Sequence, residues 1–312
     1  MALDPKAKAL LTAIEVAGEP AITELPLDVS RMQIERAYAR MKIPLKPVAS
    51  VQNMVIPAPC EEILIRIYTP SGTGPFPVIV FFHGGGWVLF HPDSYDPVCT
   101  HLCEGAECIV VSVDYRLAPE NKFPAATDDC LAANRWIFEN CTGFNGDQSR
   151  VFVAGDSAGG NLAAVTALRI RDEGGPKLMG QVLIYPILDY YLPEKKSYTE
   201  FSDGFGLNRE VVKWYWDQYL DKKGDRQNPY AAPLLAQDLS ALPGTLVIVS
   251  GYDPLRDDGI AYANRLLAAG VQTRLSIYED MIHGFISYPG ILKQAKTAIE
   301  EISIWIRKKE VR

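Results

Sequence analysis

RVFVAGDSAGGNLAAVTALRI, residues 150–170, contains the transition that decides the fold. Its first residues are β-branched, aromatic or small and apolar on both faces, as a strand buried inside a parallel sheet must be. From Ala158 onward, small and aliphatic residues continue at helical spacing through NLAAVTALRI. Between the two lies GDSAGG, residues 155–160. A serine projecting from a sharp strand-to-helix turn needs neighbours without bulky side chains two positions before and two after it, and Gly155 and Gly159 meet that need. A serine hydroxyl is a weak nucleophile until a base takes its proton, so the turn at Ser157 sends the search outward for that base.

Six further strand patterns flank this one: 62–70, 76–83, 108–115, 181–189, 245–253 and 273–280. Helical patterns lie between them at Ala125 to Asn140, Ala158 to Asp172, Gly259 to Ala269 and Ile291 to Lys308. Regular alternation of strand and helix predicts one doubly wound α/β sheet. Residues 1–50 differ. They carry two amphipathic helix patterns before any strand, the second read as starting at a Ser30–Gln33 capping pair. A second interruption, about 190–225, has no strand pattern but includes the aromatic run REVVKWYWDQYL, 209–220. The expected organisation is N-terminal cap helices over 1–50 and a catalytic domain over 51–312 with a cap insertion at about 190–225. The aromatic helix would either pack on the sheet edge or cover a pocket.

The chain has 312 residues, 48% hydrophobic and 22% charged, with a formal net charge of −7. That composition excludes a disulfide-stapled miniprotein and a disordered tail. The acidic balance argues against nucleic-acid binding, which needs a positive face to replace phosphate counterions. Six cysteines without framework spacing fit free thiols in a reducing, cytoplasmic setting. No metal site is expected, because Cys99, His101, Cys103 and Cys108 lack paired ligand spacing. No secretory signal and no membrane-spanning run is read, so stable membrane insertion is not expected.

HGGGW, residues 83–87, follows the strand FPVIVFF directly. Consecutive glycines leave their N–H groups unshielded, and such donors stabilise the oxygen that becomes negative in acyl transfer, each contributing about 3 kcal/mol. Gly84, Gly85 or Gly86, with the N–H of Ala158, is the expected oxyanion hole. A phosphate loop is a poor alternative, since neither GxxxxGK[ST] nor GxGxxG is present. Among His83, His91, His101 and His283, the last is the best base, because it follows the strand TRLSIYED at the end where doubly wound sheets place their sites. Asp253, closing the strand TLVIVSGYD, is the expected carboxylate behind it, with Asp257, Asp258, Glu279 and Asp280 as rivals. Asp156 reads as a structural hydrogen-bonding acid. Trp87, Phe90, Trp214, Tyr215 and Tyr288 are candidate pocket residues that could equally be core.

Together HGGGW at 83–87, DYRLAPENKFPAA at 114–126, GDSAGGNLA at 155–163, DPLRDDG at 253–259 and HGF at 283–285 resemble the hormone-sensitive-lipase group of α/β-hydrolases, in that group's order. The resemblance implies an eight-stranded, mostly parallel sheet flanked by helices, with a cap from the N-terminus and an insertion. It implies Ser157 as nucleophile, His283 as general base and acid, Asp253 as its orienter, and no cofactor. The expected activity is hydrolysis of short- to medium-chain acyl esters, small-molecule substrates, with a homodimer as an option. An amidase or formamidase using the same triad, and a non-catalytic receptor on the same scaffold, are the alternatives. The receptor reading is weakened by the presence of His283.

Overall fold

The computed structural model describes residues 2–191 and 195–309. Within the expected insertion at 190–225, residues 192–194 lie outside the described residues, as do residue 1 of the 1–50 segment and residues 310–312 of the 51–312 domain. The chain opens with α1 (Pro5–Ala17), which Asp4 caps by accepting from the amides of Lys6 and Ala7 and which Gly18 ends at φ 61°. α2 (Leu27–Met41) follows and starts earlier than the expected Ser30–Gln33 capping pair. Ser30 lies inside its first turn, and its hydroxyl donates back to the carbonyls of Ile22 at 2.9 Å and Pro26 at 3.2 Å. It therefore satisfies carbonyls rather than the free amides that a capping residue serves.

The sheet contains β1 (Ser50–Ile56), β2 (Ile63–Thr69), β3 (Phe76–Phe82), β4 (Ile109–Asp114), β5 (Gly146–Asp156), β6 (Gly180–Ile184), β7 (Thr245–Tyr252) and β8 (Thr273–Ile282). Their order is β1-β2-β4-β3-β5-β6-β7-β8. β1 and β2 are antiparallel, β2 runs antiparallel to β4, and every pairing from β4 to β8 is parallel. Seven of these strands match the sequence patterns, and β1 is the addition. It is an edge strand in which Val51, Met54 and Val55 stay exposed, so its burial gives no period-two signal.

The helices are α3 (Asp96–Ala106), α4 (Ala125–Asn140), α5 (Ala158–Asp172), the short α6 (Lys196–Glu200), α7 (Arg209–Tyr219), α8 (Arg256–Ala268) and α9 (Lys293–Lys309). Two apolar layers result. Val78, Val80 and Phe82 of β3 point into the layer that includes α4, α5 and α8, while Ile79 and Phe81 point into the one that includes α3 and α9. All five are fully buried, and each such side chain contributes roughly 1.5–3 kcal/mol. Cys99, Cys103 and Cys108 fill the second layer as small apolar side chains. Among the described residues, no helix is long and apolar enough to cross a membrane.

α2 and the insertion are tied to the sheet by charge. Arg31 donates to the carbonyls of Val88 at 2.9 Å and Ala118 at 3.0 Å and forks onto Glu120. Lys195 bridges Asp189 at 2.8 Å and the fully buried Asp258 at 2.7 Å, joining the start of the insertion to the first turn of α8. Burial pushes the Asp258 carboxyl up to about 7, with Lys195 pulling the other way. Removing the cation leaves two carboxylates facing each other in a dry site. Lys195→Met is therefore expected to cost about 3 kcal/mol at pH 8 in urea unfolding, and clearly less at pH 5, where Asp258 can take up a proton. An equal cost at both pH values would contradict this account.

Candidate active site

β5 ends at Asp156, and Ser157 turns the chain with φ 56° and ψ −117° before α5 begins at Ala158. A non-glycine residue at positive φ costs on the order of 1–3 kcal/mol, so the surroundings must hold it there. The Ser157 amide donates to the Ile184 carbonyl at 2.8 Å at the end of β6. A Cβ on Gly155 would lie 2.3 Å from the Gly159 carbonyl oxygen, and one on Gly159 only 1.9 Å from that of Phe82. Only glycine fits at either position.

Two other strand ends supply the partners. Asp253 follows β7 and is fully buried, with one oxygen accepting from the Leu255 amide at 2.8 Å. His283 follows β8. Its Nδ1–H donates to Asp253 Oδ2 at 2.7 Å, and its Nε2 accepts from the Ser157 hydroxyl at 2.9 Å. The partners fix the tautomer, since a carboxylate can only accept. The rival acids are engaged elsewhere: Asp257 accepts from the Ser197 amide, Asp258 holds Lys195, Asp280 accepts from Gln294, and Glu279 is exposed. His91 sits 42% exposed beside Glu35, and His101 bonds the Pro97 carbonyl in its own helix.

The glycine loop is held from below. His83 is fully buried, donates from Nδ1 to the Gly84 carbonyl at 2.8 Å and stacks on Tyr115 at 4.3 Å. Burial drives its pKa down to about 4, so it stays neutral and orders the loop. The Gly84 amide donates to the Tyr95 hydroxyl at 3.0 Å, which takes it out of the expected set of oxyanion donors. Gly85 at φ 101° and Gly86 at φ 61° line the cavity, and Ala158 is the first residue of α5, where an N–H has no intrahelical acceptor. Asp156 Oδ2 accepts from Tyr95 at 3.1 Å and from Tyr185 at 3.2 Å, and burial raises its pKa to about 6.

Ser157 and His283 open onto a narrow cavity of about 110 Å³. Phe90 and Tyr215 line it, together with Tyr38 of α2, Leu207, Val212 and Leu255. The other aromatic candidates lie elsewhere. Trp87 is fully buried, stacked on Tyr219 at 4.1 Å, because its backbone at φ 62° turns the indole down into the core. Trp214 packs edge-on against Tyr215, and Tyr288 stands behind Tyr38 with the two hydroxyls 3.4 Å apart. Tyr38, Tyr95 and Tyr185 were missed by the sequence reading, since none sits in a glycine turn or at the end of a predicted strand.

A mostly parallel eight-stranded sheet with a serine on a strained strand-to-helix turn defines the α/β-hydrolase class. Residues 79–287 match the family described as alpha/beta hydrolase fold. The carboxylic ester hydrolase LipN of Mycobacterium tuberculosis is 40% identical over 292 residues, covering 91% of this chain and 77% of that protein. An arylesterase of Saccharolobus solfataricus is 35% identical, covering 96% of this chain and 97% of the other. The hyperthermophilic esterase from the archaeon Pyrobaculum calidifontis superposes with a TM-score of 0.96 at 37% identity over 100% of both chains. This chain belongs to the alpha/beta hydrolase fold family, within its hormone-sensitive-lipase group, and is an enzyme.

His83 and Asp156 oppose each other in acid. His83 is held neutral down to about 4, against 6.5 for an ordinary imidazole, so the unfolded chain binds the extra proton and stability is lost as pH falls through that window. Asp156 has its carboxyl raised from 3.8 to about 6, so the folded chain binds that proton first and gains stability over nearly the same window. Asp156→Asn is expected to steepen the fall in melting temperature between pH 6 and pH 4, whatever its effect at neutral pH. An unchanged slope would reject these two assignments.

Proposed function

We propose that the protein hydrolyses carboxylic esters with short to medium acyl chains through Ser157, His283 and Asp253 and an acyl-enzyme intermediate. The observation that carries this reading is the unbroken line from Asp253 Oδ2 through His283 to Ser157 Oγ, with hydrogen bonds of 2.7 and 2.9 Å. Ser157 Oγ attacks the ester carbonyl carbon while His283 Nε2 takes its proton, and Asp253 stabilises the imidazolium. The carbonyl oxygen becomes negative and accepts from the amides of Gly85, Gly86 and Ala158. Collapse expels the alcohol, which takes the proton from His283, leaving the acyl group on Ser157. Water then enters, gives its proton to His283 and releases the acid by the same steps in reverse. Relatives named carboxylic ester hydrolase, arylesterase and esterase support this reaction class.

The size of the cavity supports the chain-length reading. Leu207, Val212 and Tyr215 from the insertion and Tyr38 from α2 close over Ser157, so both cap segments form walls. A Cβ on Gly86 would meet the Tyr215 ring at 2.1 Å, so this part of the cap rests directly on the glycine loop. Tyr38 also lines a second hollow of about 430 Å³ on its far side, beside His91, Ile43 and Leu45.

A series of p-nitrophenyl esters from acetate to palmitate is expected to give its highest kcat/KM among the short chains and to fall away at the long end. Ser157→Ala should lower kcat at least about a thousandfold and abolish labelling by an organophosphonate. Since only the unprotonated imidazole accepts the serine proton, kcat/KM should fall about tenfold per pH unit on the acid side. Activity that stays flat into strong acid would exclude His283 as the base. Tyr38→Ala removes the partition between the two hollows and should move the optimum toward longer chains, with little change for acetate. An unmoved optimum would mean that Tyr38 does not limit the length of substrate.

A further inference from the structure

We propose that Asp156 is a positioning residue that sets both the glycine loop and the imidazole of His283, acting as a second negative group behind the base. The inference rests on the ester-hydrolase reading and extends it. Asp156 Oδ2 accepts from two phenols belonging to opposite sides of the site. Through Tyr95 it reaches the glycine loop, because the Tyr95 oxygen accepts from the Gly84 amide at 3.0 Å. With that amide held below, the next two glycines at positive φ turn into the cavity wall. Through Tyr185 it reaches the base, whose imidazole packs against the Tyr185 ring at 4.6 Å. One carboxylate thus links the oxyanion loop to the imidazole by way of two side chains.

The chemistry of the group argues for more than packing. Asp156 is 2% exposed, and its Oδ1 has no partner among the described residues. A buried carboxylate with one oxygen unpaired and only neutral donors near the other, two phenols and the Gly84 amide, is costly, and an asparagine of the same shape would avoid the charge. The titratable groups facing it are Tyr38 from α2, Tyr95, Tyr115 after β4, Tyr185 after β6, and His283 after β8. Of these, only His283 becomes positive during the proposed reaction. Negative charge at Asp156 favours that imidazolium in addition to the direct hydrogen bond from Asp253. Tyr185 itself faces both carboxylates, Asp156 and Asp253.

The test compares Asp156→Asn, which keeps the shape and removes the charge, with Tyr95→Phe, which keeps the charge and cuts the link to Gly84. Turnover of p-nitrophenyl acetate is followed across pH, with melting temperature recorded for each variant. For Asp156→Asn, kcat is expected to fall at least about tenfold with KM within about threefold. Its acid limb of kcat/KM should move to lower pH by about half a unit or more, because loss of a neighbouring negative charge disfavours the imidazolium. For Tyr95→Phe, kcat should fall while the acid limb stays in place. An Asp156→Asn protein that is folded and keeps its acid limb, or loses less than about threefold in kcat, overturns the proposal. Should that variant not fold, the outcome rests on Tyr95→Phe, whose unchanged kcat would also overturn it. A parent enzyme without ester turnover and without phosphonate labelling of Ser157 would instead remove the ester reading itself.

Discussion

The site depends on a contact between backbones. The ends of β3 and β5 and the start of α5 approach so closely that the Phe82 carbonyl occupies the place where a side chain on Gly159 would stand. Within that close approach Ser157, between β5 and α5, is held at positive φ with its amide tied to β6. The hydroxyl is lifted clear of the sheet as a result. The free amides of the glycine loop come to the same place because the loop leaves the strand that presses on Gly159. The placements of Ser157 and of the glycine-loop amides are therefore two consequences of one steric constraint, while His283 and Asp253 arrive independently just after β8 and β7.

Around this turn, buried polar groups are arranged to keep their charge under control. His83 is neutral by burial, Asp253 is satisfied by an imidazole and an amide, and Asp258 shares Lys195 with Asp189. Each ties a loop at the carboxyl edge of the sheet to something rigid. The rim of a parallel sheet has few ladder hydrogen bonds of its own, so these side chains stand in for them.

Local chemistry made much of this legible in the sequence. Ser157 announced itself through the glycines on either side, and His283 and Asp253 through their positions at the ends of apolar strands. The helices over Ala125–Asn140 and Ala158–Asp172 match their sequence patterns residue for residue. What escaped was non-local. β1 is an exposed edge strand, and edge strands are defined by pairing rather than by burial. Gly84 looked like its two neighbours until the Tyr95 hydroxyl, brought in by a separate turn, claimed its amide. Trp87 closes the HGGGW motif, yet a positive φ points it away from the cavity. Tyr38 lies far upstream on a helix whose pattern says only that one face is apolar, and the docking of α2, by Arg31 and by its apolar face, carries it to the cavity.

α7 carries a constraint of a different kind. Val212 and Tyr215 face the cavity, while Trp216 and Tyr219, on adjoining stripes of the same short helix, are locked against Trp87 in the interior. The cavity wall and the foundation are one piece. Selection acting on what enters the enzyme must therefore work through single side chains along this helix, since sliding or rotating it to reshape the opening would break up the aromatic stack beneath it.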